Sequence, residues 1–204
     1  MRVLSTSVAI VALATCSSAC VPRLYSDTFG ETDVTPCAWD PPTNRWPTSD
    51  PGCPEKEQGY AVGNVIPDFR LPDQHGDIVS LWQFSGLITV VDISTMWCAP
   101  CQELAESTEE LYAHYRDEGV AVNTVLPQDG GGNPPDNADL NEWAEGFGIT
   151  APVIGDDMTW ATGAVPDGQF PVLLIVGRDL VVRERVATIS HEALEDAVDR
   201  ALAE

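Results

Sequence analysis

Residues 87–93 form an almost unbroken β-branched run after Gly86, and Trp97-Cys98-Ala99-Pro100-Cys101 follows close behind it. An apolar run of this length reads as a strand buried on both faces of a sheet. The Cys-x-x-Cys pair beyond it reads as two thiols delivered to the first turn of a helix. Residues three apart on a helix share a face, so the two sulfurs can meet and close a disulfide. Cys98 would stand at the helix start, where unpaired N–H groups and the positive end of the dipole favour a thiolate. Pro100 suits a first helical turn, because its missing N–H is not needed there. Two plainer readings compete, a structural disulfide or half of a zinc site. The zinc reading lacks a second close Cys pair, and a Cys-x-x-Cys beside a strand–helix pattern usually carries redox chemistry.

The flanking sequence builds an α/β domain around this unit. Residues 66–71 give a short strand signal, Asp73 to Asp77 a turn, and residues 78–81 a partner strand, together a β-hairpin. The helix behind Cys98 carries Leu104, Leu111, Tyr112 and Tyr115 on one side, with Glu103, Glu106, Glu110 and Asp117 towards water. Gly119 ends it, and residues 120–126 are the next buried strand. Leu140, Trp143, Ala144 and Phe147 recur at helical spacing and mark a second helix closing near Gly148. Phe170-Pro171 precedes a strand at 172–176, Gly177-Arg178-Asp179 turns the chain, and residues 180–186 pair back. Ser190 caps a last helix with the stripe Leu194, Ala197, Val198, Ala201 and Leu202. This order describes a central mixed β-sheet with helices on both faces and an N-terminal β-hairpin arm. Residues 128–139, with Gly130-Gly131-Gly132 and Pro134-Pro135, read as a mobile surface loop; a calcium site from Asp129, Asp136 and Asp139 is the sharper alternative.

Upstream, residues 1–20 read as a signal peptide. Arg2 begins it, and the apolar stretch to Ala14 is too short to span a bilayer. Cys16 and Cys20 stand just behind that stretch, as in a bacterial lipoprotein leader, where one cysteine takes the lipid. Leu13 favours Cys16 and Ala19 favours Cys20. Cleavage before Cys20 would leave four cysteines as two pairs, which tips the balance to Cys20; plain cleavage without lipid is the alternative. Either way the chain is expected outside the cytoplasm, in a periplasm or on an outer surface, where disulfides persist. Residues 21–60 are rich in Pro, Asp, Thr and Gly and read as an extended linker that can stand off a membrane or pack partly on the domain at 61–204. Cys37 and Cys53 lie in it. A structural disulfide between them would contribute about 3 kcal/mol in the chain-entropy model; a second redox pair is the competing idea.

With 10 basic and 32 acidic residues the net charge is −22. Such a field repels nucleic acid and anionic membrane surfaces and favours basic partners, or simply a well-solvated surface. It also raises thiol pKa values slightly, against the helix effect on Cys98. His75, His114 and His191 read as surface or structural residues.

From about Val62 onward the chain resembles the thioredoxin-like superfamily in its TlpA/ResA-type, AhpC/TSA-related redoxin branch. The features that match are Pro67-Asp68-Phe69, the hairpin arm at 76–81, the strand into Trp97-Cys98-Ala99-Pro100-Cys101, and Pro171 before the late strand. The resemblance implies a thioredoxin-like fold and thiol–disulfide exchange with protein clients and an upstream thiol electron donor. No cofactor beyond the Cys98–Cys101 couple is implied. By the same resemblance Cys98 is the attacking cysteine and Cys101 the resolving one. Pro171 is the cis-proline facing them, Phe170 tunes substrate choice, and Trp97 shields the nucleophile. Asp92 matches the buried acid of thioredoxin, where many TlpA-type relatives carry Asn; a plain backbone-capping role competes. Two other readings are kept. A peroxiredoxin-like thiol peroxidase would want Pro-x-x-x-Thr-x-x-Cys; Thr95 fits, but Val91 stands in the proline's place. A copper-binding assembly factor of the same fold would want one more residue between the cysteines.

Overall fold

The structure is a computed structural model in which residues 39–204 are described. The expected leader with Cys16 and Cys20, and Cys37 of the expected disulfide, lie outside the described residues.

In chain order the elements are β1 (Arg70–Pro72), β2 (Ile78–Ser80), β3 (Ile88–Ile93), α1 (Ala99–Tyr115), β4 (Val120–Leu126), α2 (Asn137–Phe147), β5 (Val153–Gly155), α3 (Ala161–Ala164), β6 (Val172–Val176), β7 (Val182–Arg185) and α4 (His191–Leu202). Every residue of β3 and β4 is buried, which is why they read as unbroken apolar runs rather than alternating ones. They form the middle of a five-stranded sheet of order β5-β4-β3-β6-β7. β4 lies parallel to β3 and β5 parallel to β4, whereas β6 and β7 complete the sheet antiparallel.

Alternation along each strand assigns the two faces. Val90, Val122, Leu173 and Ile175 pack with Leu104 and Leu111 of α1, Trp143 of α2, and Leu194 and Val198 of α4. Their strand neighbours Val91, Val125 and Leu174 pack the other way, against Ile66, Phe69, Phe84 and the short α3. Helices therefore cover both faces, with the long ones on one side. Gly119 (φ 84°) takes the left-handed conformation that ends the 3-10 turn at Arg116–Glu118 following α1, and Gly148 (φ 67°) does the same at the end of α2. At the start of α4 the Ser190 hydroxyl accepts from the Ala193 N–H at 3.2 Å.

The segment before the sheet covers the β5 edge and the start of the β7 edge. At β7, Val65 bridges Val181, and the Val182 N–H donates to the Asn64 carbonyl. The chain then passes beneath the sheet through Ile66 and Phe69 and forms the β1–β2 hairpin beyond β5. There Asp73 bridges Ile154, and the Gln74 N–H donates to the Val153 carbonyl.

Two features differ from the sequence reading, and a third concerns an alternative it left open. β5, with three residues, gives too short a periodicity to be seen beside Pro152. Of the two readings of the linker, the described part, 39–60, follows the second and packs against the domain. Its Asn44 amide donates to the Ile78 carbonyl at 2.7 Å, the Trp46 indole donates to Asp73 Oδ2 at 2.7 Å, and the Tyr60 hydroxyl donates to the Trp160 carbonyl at 2.7 Å. Lastly, α2 begins inside the stretch read as a mobile loop. Asp136 caps it by accepting from the Ala138 and Asp139 N–H groups, and Asp139 accepts back from the Asp136 N–H. Asp136 and Asp139 thus act as a helix cap, and no group of His, Cys, Asp and Glu suited to a metal occurs among the described residues.

Candidate active site

β3 ends at Ile93 and α1 begins at Ala99, so the loop between them sets Cys98 at the helix N-cap. The Cys98 carbonyl accepts the first helical N–H groups, from Cys101 at 3.0 Å and Gln102 at 3.1 Å. Pro100 lies in the first turn and no acidic side chain does, so nothing there offsets the positive helix end. Cys98 and Cys101 form a disulfide with their Cα atoms 5.2 Å apart. The two sulfurs are unequally placed: Cys98 is 5% exposed and Cys101 fully buried. Only Cys98 is open to a partner.

The chain following α3 closes over this sulfur. The Phe170–Pro171 peptide bond is cis, and the Phe170 carbonyl oxygen lies 3.6 Å from Cys98 Sγ. In the reduced protein a Cys98 thiol can donate to that oxygen. Trp97, 49% exposed, meets the Phe170 ring edge-on with centroids 6.0 Å apart. A cavity of about 410 Å³ beside Phe170 and Pro171 and one of about 510 Å³ bordered by Pro100, Glu103 and Glu106 share Ile189 in their linings. Phe170, Pro171, Trp97 and the two cysteines are thus brought together at one end of the sheet.

Asp92 lies deeper, 2% exposed. Strand alternation turns it to the same face as Val90, which packs in one cluster with Cys98 and Cys101. Ser94 donates to its Oδ1 at 2.5 Å, and Oδ2 has no hydrogen-bond partner among the described residues. Burial pushes the carboxyl up to about 7; the Ser94 and Thr124 hydroxyls oppose this only in part, and Thr124 closes no hydrogen bond of its own. Asp92 caps no backbone group among the described hydrogen bonds. Thr95 is also fully buried with an unpaired hydroxyl, and its carbonyl accepts from the Cys98 N–H at 3.2 Å.

Cys53 is disulfide-bonded; its expected partner, Cys37, lies outside the described residues. The stretch after it is tied down by Lys56, 3.9 Å from Asp179 in the β6–β7 turn. Val172 at the start of β6 pairs with Ile93 beside the Cys loop, so that turn, at the strand's other end, lies away from Cys98.

One residue that the sequence reading missed belongs here. Gln128 accepts from the Trp97 indole N–H at 2.9 Å through Oε1, and its carbonyl accepts from the Met96 N–H at 3.2 Å. No motif marks it. The signal that would have found it is topological: it lies just past the carboxyl end of a strand parallel to β3, where α/β sheets place their sites.

Comparison with known proteins agrees with this geometry. Residues 62–185 match the AhpC/TSA family. The thiol-disulfide oxidoreductase ResA of Geobacillus kaustophilus is 28% identical over 144 residues, covering 69% of this chain and 78% of its own. Among solved structures, a Chlorobium tepidum protein designated a thiol:disulfide interchange protein DsbE superposes with a TM-score of 0.60 at 22% identity, covering 71% of this chain and 99% of that one. The thioredoxin domain of a Bacteroides vulgatus thiol-disulfide oxidoreductase gives 0.59 at 19% identity, covering 69% and 96%. At these identities the structures speak for the fold, which is thioredoxin-like. With its matched span reaching from the hairpin arm through β7, the chain belongs to the AhpC/TSA family, as a redoxin of the TlpA/ResA type.

Proposed function

We propose that this redoxin is an extracytoplasmic protein-disulfide oxidoreductase that reduces client disulfides through Cys98 and Cys101. The observation that carries the reading is the asymmetry of the pair, one sulfur at a helix start beneath a cis-proline loop and the other fully buried behind it. The Cys98 thiolate attacks one sulfur of a client disulfide; a mixed disulfide forms and the client's second sulfur leaves as a thiolate. Cys101 then gives up its proton and attacks Cys98, which releases the client as a dithiol and leaves the pair oxidised. An upstream dithiol returns two electrons and two protons to the pair. Asp92, a carboxyl buried on the same face with one oxygen unpaired, is the candidate acceptor for the Cys101 proton. Trp97 and Phe170 form the walls against which an extended client segment lies, and the backbone beside Pro171 offers it hydrogen bonds.

The location rests on the leader-like residues 1–20, with Cys20 or Cys16 as the lipid site, and on a disulfide at Cys53 apart from the redox pair, which fits an oxidising compartment. The test is trapping. Cys101→Ser is expected to accumulate mixed disulfides with client proteins, and Cys98→Ser to accumulate none; a Cys101→Ser variant that traps nothing sinks the reading. Direction follows from the reduction potential. A value near thioredoxin's, about −270 mV, supports a reductant, and one near about −120 mV an oxidant.

A further inference from the structure

Trp97 is a large apolar side chain, half in water, beside the reactive sulfur. An indole on a loop is ordinarily free to swing between rotamers, yet this one is held from several directions. Its N–H donates to Gln128 Oε1 at 2.9 Å, and because an indole N–H can only donate, the amide oxygen must be the atom that faces it. The preceding residue is held twice: the Met96 N–H donates to the Gln128 carbonyl at 3.2 Å, and the Gln102 side chain donates to the Met96 carbonyl at 2.6 Å. Gln128 thus grips both the backbone before the indole and the indole itself. Its own position is fixed by the residue after it. Asp129 Oδ1 accepts from the Gly131 and Asn133 N–H groups at 2.8 Å each, and the Asp129 N–H donates to the Asn133 carbonyl at 2.7 Å. This knot ties a triple-glycine loop that would otherwise be expensive to order.

We propose that Gln128 is a positioning residue for client binding: it holds the Trp97 indole edge-on to Phe170, so that the wall of the groove beside Cys98 is built before a client arrives. The inference rests on the oxidoreductase reading and adds to it a residue that touches neither sulfur. A client binding to a preformed wall does not have to order Trp97, so releasing the indole is expected to weaken client binding and leave the sulfur chemistry alone.

The experiment uses the full chain with insulin as a protein disulfide and a small aromatic disulfide as a substrate that needs no groove. Gln128→Met removes the acceptor and keeps the size; Gln128→Glu keeps an acceptor at the same place. For Gln128→Met, KM for insulin is expected to rise roughly three- to tenfold, the weight of about one hydrogen bond, with kcat and the small-disulfide rate within twofold of wild type. Gln128→Glu is expected to recover most of the KM. The Trp97 indole N–H resonance, assigned by its loss in Trp97→Phe, should exchange faster with solvent in Gln128→Met only. Unchanged KM and exchange in Gln128→Met, with wild type active on insulin, overturn the inference and leave the oxidoreductase reading standing. Equal losses on both substrates also overturn it, since they would place Gln128 in the chemistry or the fold. A wild type inactive on both substrates fails the oxidoreductase reading instead.

Discussion

Asp92 is held in the fold at a cost, and the cost depends on pH. Its carboxyl titrates near 7 in the folded chain and near 4 when unfolded. Below both values it is protonated in either state and costs nothing. As pH rises from about 4 to about 7 the unfolded chain loses its proton first, so stability falls across that window and is level above it. Asp92→Asn removes the ionisation while keeping the Ser94 hydroxyl partnered. It is therefore expected to raise the melting temperature at pH 8, by an amount corresponding to a few kcal/mol at most, and to change little at pH 4. The same variant is expected to slow release of the mixed disulfide in stopped-flow measurements. Normal release with raised stability would make Asp92 a buried liability rather than a proton acceptor. The cysteines were readable because they fall in a short motif whose chemistry dictates its neighbours, and Pro171 was named through the family resemblance. Gln128 was not, since the contact that gives it meaning spans 31 positions to Trp97 and leaves no local mark.

At the scale of elements, β3, β4, β6 and the three long helices announced themselves through periodicity, capping residues and terminal glycines. What stayed hidden is made of short pieces held by tertiary contacts. β5 exists because Val153, Ile154 and Gly155 pair with residues 124–126, not because of any pattern of their own. Likewise, residues 39–60 have a linker's composition, and their order comes from single polar anchors such as the Trp46 indole on Asp73. Tyr60 is one such anchor. Its ring lies against α3 so closely that a side chain at Gly163 would collide with it, while its hydroxyl reaches the Trp160 carbonyl. Gly163→Ala is thus expected to dislodge Tyr60 and destabilise the chain by about 1–3 kcal/mol. Limited proteolysis should then cut first within 39–60; a variant with wild-type cleavage kinetics would show that Tyr60 adjusts freely.

Over the whole molecule, a net charge of −22 is spread widely, and the mouth of the groove shares it. Glu103, Glu106 and Asp167 border the cavities around Ile189, while Arg185 there donates to the Ala164 carbonyl. Such a field concentrates cationic partners and repels anionic ones. The second-order rate constant towards a lysine-rich disulfide peptide is expected to fall about tenfold or more from low to high salt, and that towards a glutamate-rich peptide to rise. Identical salt profiles for the two would remove charge as a selector.

The covered sheet edges bear on what kind of chain such a molecule can safely meet. A client whose disulfide is accessible is often incompletely folded, with strands in search of a ladder. Residues 63–66 pair with 180–182 at the start of β7, and Asp73 and Gln74 occupy the ladder at β5. The outer strand of the hairpin is three residues long, with the Ile78 carbonyl taken by Asn44, and offers little to join. Among the described residues, β5 and the start of β7 thus offer a sticky polypeptide few unpaired backbone groups to join. The same covering that completes the fold thus leaves less open ladder for an incompletely folded chain to extend.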